Sequence, residues 1–382
     1  MQIDHVAARN LFLLVFALLL SGCESISGFL ERMESAPDSV PLAERPVQTP
    51  IDPNQFVLAS EDQEVIGAPQ VVFTNENDTL SDIARAYGLG IDELTAANPG
   101  VDPWLPGVGT PILLPTEYVL PNVERKGVIL NIATRRLFYF PEAGMGEAQQ
   151  VYTYPIGIGR VGWETPLGKT SVIAKAKDPT WWVPASVRKE HAEMGDPLPS
   201  VVPPGPDNPL GHRVLKLDMP GYLIHGTNQP YGVGMRVSHG CVRLYPENIE
   251  FLYELVDIGV PVEIINEPYQ LGRRDGVLYF EAHVPLEDDQ VPAEERLSAI
   301  LDAAVHGDGQ LLNTHLREHI VSLSAAPNGA PTVVADYDAN EVMARARVVE
   351  NIIVPDPDAY TLEEIREMMS EVDEEAAETV TQ

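Results

Sequence analysis

The stretch VSHGCVRLYP, Val237–Pro246, places one cysteine directly after a histidine and a glycine. Cys241 is one of only two cysteines in the 382 residues, and the other, Cys23, has a separate use near the N-terminus. A cysteine attacks as thiolate, and a neighbouring imidazole or cation lowers its pKa. Two histidines qualify as partners. His239 is two residues upstream, on the same face if the segment is a strand. His225 ends the apolar run GYLIH and lies across from Cys241 if the two strands pair. Gly240 lets a substrate approach the backbone closely, and the N–H groups of Gly240 and Cys241 would face a developing oxyanion. Other readings remain open on these residues alone. Zinc accepts a set such as His225, His239 and Cys241, but no paired-ligand spacing accompanies it. An inert buried thiol beside structural histidines would be an odd way to fill a core strand.

The elements around this motif are mostly strands. From Gly127 the run GVILNIATRRLFYF alternates and turns near Ala133, as a hairpin does. QQVYTYPIGIG, TSVIAKAKD, HRVLKLD and GYLIHG are further strands separated by Gly and Pro. One helix follows, PENIEFLYELVD, with Pro246 in its first turn and Ile249, Leu252, Tyr253 and Val256 as its inner stripe. GVPVEII closes the unit. The expected fold is a mainly β domain, a sandwich or partly closed barrel, with one helix packed against it.

Upstream, residues 69–116 read as a compact βααβ unit. QVVF and GTPILLP are its strands, and DTLSDIARAYG and IDELTAANPG are its helices. Asp78 or Thr79 caps the first helix, whose face carries Leu80, Ile83, Ala84 and Tyr87. Asn98, Pro99 and Gly100 end the second. This pattern resembles a LysM domain, with Asn77 at the usual glycine position, where both residue types tolerate a left-handed turn. The resemblance implies binding of N-acetylglucosamine polymers, with Asp78, Thr79, Asn98 and Pro99 as the candidate glycan contacts.

The ends carry their own signals. Arg9 and Asn10 precede LFLLVFALLL, too short to span a bilayer, and the run closes on Leu20-Ser21-Gly22-Cys23. That end resembles a lipobox, which implies a signal at 1–22, lipid on Cys23 and an exported, periplasmic protein held on a bacterial membrane, the outer one. Residues 23–68 are rich in Pro, Glu, Asp and Ser and read as a flexible tether. Net charge is −32, which argues against nucleic acid. Between Glu287 and Gln382 stand 22 acidic and 5 basic residues, a net of −17, so the extension 267–382 ends in an acidic tail.

HGTN and GMRVSHGCVRLYPENIE together resemble the active-site signature of the YkuD-type L,D-transpeptidases. The likeness extends through YPIGIGRVGWETPLGKTSV, KDPTWWVPASVRKE and PPGPDNPLGHRVLKL, so the catalytic unit is placed at 125–266. The resemblance implies that Cys241 is the nucleophile, His225 the general base and acid, and His239 and Gly240 shapers of the cysteine loop. Arg243, with Arg236 and Ser238, would bind the substrate. The implied donor is a peptidoglycan tetrapeptide stem, processed through a thioester with no metal or organic cofactor. The acceptor is open: another stem, a lysine of a wall-attached lipoprotein, or water, which would make the protein a carboxypeptidase or a lipoprotein-detaching amidase. A non-catalytic wall-binding anchor is the rival from another class. NEPYQLGRRDGVLYFEAHVPLE resembles an extension found in the lipoprotein-attaching, ErfK-like subgroup.

Overall fold

The computed structural model describes residues 40–144, 146–307, 312–334 and 342–354. Its centre is a nine-stranded sheet. In spatial order the strands are Gln55–Val57, Gln150–Pro155, Arg136–Phe140, Gly127–Asn131, Pro261–Ile265, Gly168–Lys177, Arg213–Leu217, Leu223–His225 and Val242–Arg243. The hairpin expected around Ala133 forms in the register Leu130↔Leu137.

The long strand Gly168–Lys177 turns the corner of the sheet. Its first half pairs with Pro261–Ile265 and its second with Arg213–Leu217, with a register shift between Val172 and Ala174. An extra residue on one strand bends it and increases its twist, so the sheet curls around its apolar side chains. Helix Pro246–Leu255 packs there, with Pro246 in its first turn and Ile249, Leu252 and Val256 fully buried. The mainly β domain with this packed helix is as the sequence suggests, and a second helix, Ala185–Glu193, which the sequence reading did not expect, lies in the same domain.

The βααβ unit is also present, as Gln70–Phe73, Leu80–Ala86, Ile91–Ala97 and Pro111–Leu114. Thr79 is the N-cap, in a capping box with Asp82. Asn77 takes φ +69°, the left-handed conformation expected of it. Leu80, Ile83, Ala84 and Tyr87 all face the core.

Three features depart from the sequence reading. First, the tether is not free throughout. Gln55–Val57 is an edge strand of the main sheet, and Val65–Gly67 pairs with Glu117–Val119. Phe56 and Leu58 supply the apolar contacts that a Pro- and Glu-rich composition conceals. Second, the segment after the βααβ unit, to which the sequence reading gave no element, forms the fully buried strand Glu117–Val119. Third, the C-terminal extension reaches back. Its hairpin Tyr269–Arg274/Val277–Ala282 and helices Ala293–Gly307 and Thr314–Ser324 form a small core, and Arg347–Val348 then adds a parallel strand beside Gln70–Val71. The acidic tail beyond 354, the segment 1–39 and Cys23 lie outside the described residues.

The βααβ unit and the catalytic domain share a buried ion pair. Arg136 Nη2 donates to Glu93 Oε2 at 2.7 Å, and both side chains are almost inaccessible. The guanidinium lies over the Tyr118 ring, 4.0 Å from its centroid. Nearby, Gly90 and Gly234 bring the two backbones together: a Cβ on Gly90 would fall 2.7 Å from Gly234 Cα.

Candidate active site

Cys241 sits at the end of a tight turn, not inside a strand. The strand Arg236–Ser238 stops at Ser238, and Gly240 takes φ +97°. A Cβ there would fall 2.9 Å from Tyr222 Cε1, so both conformation and space demand glycine. Ser238 is buried and clasps the turn. Its Oγ donates to Cys241 O at 2.5 Å and accepts from Gly240 N at 3.2 Å. Thr165 Oγ1 secures the other side, donating to Gly240 O at 2.9 Å and accepting from Gly159 N at 3.0 Å.

His225 arrives from the neighbouring strand, as expected. Leu223–His225 and Val242–Arg243 pair in parallel, but the register sets His225 beside Arg243 rather than Cys241. The imidazole is buried, and its Nδ1 lies 2.6 Å from Gly226 O. A carbonyl oxygen only accepts, so Nδ1 carries the hydrogen and Nε2 keeps its lone pair. Burial, then the Arg243 charge, holds the ring down to about 3, so it is neutral at physiological pH.

The thiol is half-buried, and Sγ donates to Gly221 O at 3.6 Å. Burial pushes its pKa up, while the Leu223 backbone N–H and Arg243 pull less strongly downward. The sequence suggested a thiol lowered by its histidines and arginine. The resting structure instead favours the neutral thiol, because desolvation exceeds the help of one nearby cation.

His239 does not share a face with Cys241, because the turn at Gly240 breaks the strand alternation. Its Nε2 lies 2.7 Å from Glu190 Oε2 and 3.2 Å from Arg160 Nη1. Two donors cannot satisfy each other, so the Nε2–H to the Glu190 carboxylate is the bond that forms. Glu190 also accepts from Arg160 Nη2 and, at 3.2 Å, from Trp163 Nε1. The Arg160 bond, with His239 and Trp163, holds this carboxyl down to about 2. The His239 imidazole itself is lowered, because burial outweighs the Glu190 carboxylate. Trp163 meets the His239 ring edge-on at 4.8 Å. The cluster ties helix Ala185–Glu193 to the cysteine turn. Arg160, Trp163 and Glu190 escaped the sequence reading, because nothing in their spacing joins positions so far apart.

The two arginines that flank the thiol differ. Arg236 is occupied: Nη1 and Nη2 donate to Asp288 Oδ1 and Oδ2 at 3.0 and 2.8 Å, and Nε to Gly159 O at 3.2 Å. That removes it as a free substrate anchor, and the acidic partner comes from the C-terminal extension. Arg243 forms no ion pair among the described residues, and its Nε has no partner. It lines a cavity of about 930 Å³ together with His239 and residues of the βααβ unit.

The four candidate glycan contacts fare differently from the sequence reading. Asn98 is buried and bonds Leu94 O, Leu113 O and Leu113 N, each at 2.8 Å. Asp78 accepts from Asn75 N and Asn351 Nδ2, both at 2.6 Å. Thr79 is the helix cap. These three hold the module together, and Pro99 alone is exposed. Among the described residues, no group of three His, Cys, Asp or Glu side chains converges as a metal site. A second cavity, of about 560 Å³, lies between helix Ala293–Gly307 and strand Tyr269–Arg274 and presents no cysteine, histidine or serine.

Comparison with known proteins agrees with this geometry. Residues 125–264 match the L,D-transpeptidase catalytic domain, and residues 75–115 match the LysM domain. The chain is 40% identical over 243 residues to the probable L,D-transpeptidase YbiS of Escherichia coli K12, covering 63% of this chain and 78% of the relative. It is 36% identical over 282 residues to the probable L,D-transpeptidase YcfS of the same strain, covering 72% and 87%. For the probable L,D-transpeptidase ErfK/SrfK of Salmonella typhimurium LT2 the figures are 38% over 243 residues, covering 63% and 77%. The chain therefore belongs to the L,D-transpeptidase family, with a LysM module docked on the catalytic domain.

Proposed function

We propose that this protein transfers peptidoglycan tetrapeptide stems through a thioester on Cys241. The observation that supports this best is the turn itself: a half-exposed thiol on a glycine-dependent loop, with a buried neutral imidazole on the neighbouring strand and an arginine that has no carboxylate partner among the described residues. Acylation requires Sγ to leave the Gly221 carbonyl. His225 Nε2 takes the thiol proton as the sulfur attacks the carbonyl carbon of the third stem residue. Catalytic hydrogen bonds are often unformed before substrate binds. The Gly240 N–H is occupied by Ser238, so the Cys241 N–H is the donor for the developing oxyanion. The C–N bond then breaks, and the amine of the terminal D-alanine takes the proton from His225.

In the second step an acceptor amine attacks the thioester and yields a proton to His225. The amide forms, and the sulfur regains its proton. This is ping-pong chemistry on one nucleophile. A stem amine gives a cross-link, and a lipoprotein lysine gives wall attachment. Arg243 holds a stem carboxylate. An exported protein with a lipid on Cys23 would hold this site against the wall from the periplasmic side.

The test is intact-protein mass spectrometry with a tetrapeptide donor. The native protein should gain the mass of the donor less D-alanine, and Cys241→Ala should gain none. Adduct formation by Cys241→Ala would place the nucleophile elsewhere.

A further inference from the structure

The LysM module forms one wall of the cavity that Arg243 lines. Ile91, Thr95 and Trp104 come from the module, and Tyr231, His239 and Arg243 from the catalytic domain. At about 930 Å³ the space is near the upper end of small-ligand pockets, roughly 300–1,000 Å³. It has more room than a short peptide segment at Arg243 needs.

Its walls have a definite chemistry. Trp104 and Tyr231 are large aromatic side chains left 53% and 60% exposed. The Trp104 loop is held firmly: Asp102 Oδ1 accepts from Trp104 N at 2.8 Å and from Leu105 N at 3.0 Å, while Pro103 O accepts from Leu80 N at 2.8 Å. The Arg136–Glu93 pair and the Gly90–Gly234 contact hold the module against the catalytic domain. A pyranose ring presents an apolar C–H face that covers an aromatic ring and a hydroxyl rim that stays wet. Exposed, rigid aromatics beside a cation with no carboxylate partner among the described residues therefore suit a ligand that is part sugar and part carboxylate.

We propose that this interdomain cavity is a saccharide subsite for the donor. The hexosamine that carries the stem lies along Trp104 and Tyr231, while a stem carboxylate meets Arg243. The module thus reads the same molecule that Cys241 acylates, rather than anchoring the enzyme to a distant glycan. The inference rests on the thioester reading above.

The experiment compares two donors in the full-length protein: a free tetrapeptide and the same tetrapeptide on its disaccharide. Thioester formation is followed by mass spectrometry over a range of donor concentrations. The native protein should favour the disaccharide donor by about 3–10-fold in KM, the scale of one aromatic contact. Trp104→Ala should bring that ratio close to one, and Trp104→Tyr should restore most of it. Circular dichroism checks the fold of each variant. Equal KM for the two donors in the native protein, or an unchanged ratio in Trp104→Ala, overturns the subsite and leaves the thioester mechanism standing. Failure of both donors to acylate the native protein defeats the mechanism itself.

Discussion

Replacing Glu93 by alanine would leave the Arg136 guanidinium buried without its carboxylate. The structure sets the size of that effect. Glu93 accepts from Arg136 Nη2 at 2.7 Å and from Gly90 N at 3.1 Å, and Arg136 is among the largest fully buried side chains. What remains for the cation is Gly88 O at 3.2 Å, Thr153 Oγ1 at 3.3 Å and the face of Tyr118. Removing one partner of a buried pair costs about 3–5 kcal/mol, because the other charge stays desolvated. At roughly 2–4 °C per kcal/mol, the melting temperature should fall by about 6–20 °C.

Thermal unfolding followed by circular dichroism reads this directly. Glu93→Gln keeps an acceptor for Gly90 and should lose less. The double variant Glu93→Leu/Arg136→Met should recover most of the loss, since an apolar pair of similar volume removes both desolvation penalties. A Glu93→Ala protein that melts within about 2 °C of the native one would refute the reasoning. The LysM module would then be loosely hung, and the composite cavity would lose its basis.

Two further outcomes concern the chemistry. His225→Asn should slow acylation by about 10²–10⁴-fold, the usual loss of a general base, whereas His239→Asn should retain most of the rate, because its ring bonds Glu190; the reverse ranking in mass-spectrometric thioester assays would transfer the base role to His239. Iodoacetamide alkylation of Cys241 should climb with pH beyond the ordinary thiol value of about 8.5, because burial disfavours the thiolate. A plateau already reached below pH 7 would show a pre-formed thiolate.

The candidate nucleophile and its candidate base stand out in the sequence because their types are rare. One cysteine beside one histidine and one glycine, preceded by a strand ending in histidine, admits few explanations. The elements were legible for a similar reason: strand alternation and the stripe of helix Pro246–Leu255 are local signals. What local signals cannot carry is pairing. Whether His225 faces Cys241 or Arg243 depends on a register set across two strands. His239 was misplaced because one glycine at φ +97° ends the alternation on which the same-face argument depended. Asn98 and Asp78 have the polarity of binding residues, yet their hydrogen bonds satisfy buried backbone and side-chain groups. Trp104 was passed over because it stands in a Pro- and Gly-rich loop, where composition suggests only a turn.

Electrostatics joins these observations. The chain carries −32 net charge, yet its donor bears carboxylates, so the groove needs cations shielded from the global field. Three arginines stand near the cysteine turn. Glu190 neutralises Arg160 and thereby pins helix Ala185–Glu193. Asp288 neutralises Arg236 and thereby docks the C-terminal extension. Only Arg243 of these three lacks a carboxylate partner among the described residues. The first two charges therefore do structural work, closing the site with helix and extension, and the third is left to the ligand. Burial is the main reason the imidazole is neutral, and this division adds to it. Arg243 beside His225 disfavours a second positive charge there, so on the proposed mechanism the cation offered to the donor also helps keep the imidazole unprotonated until the thiol yields its proton.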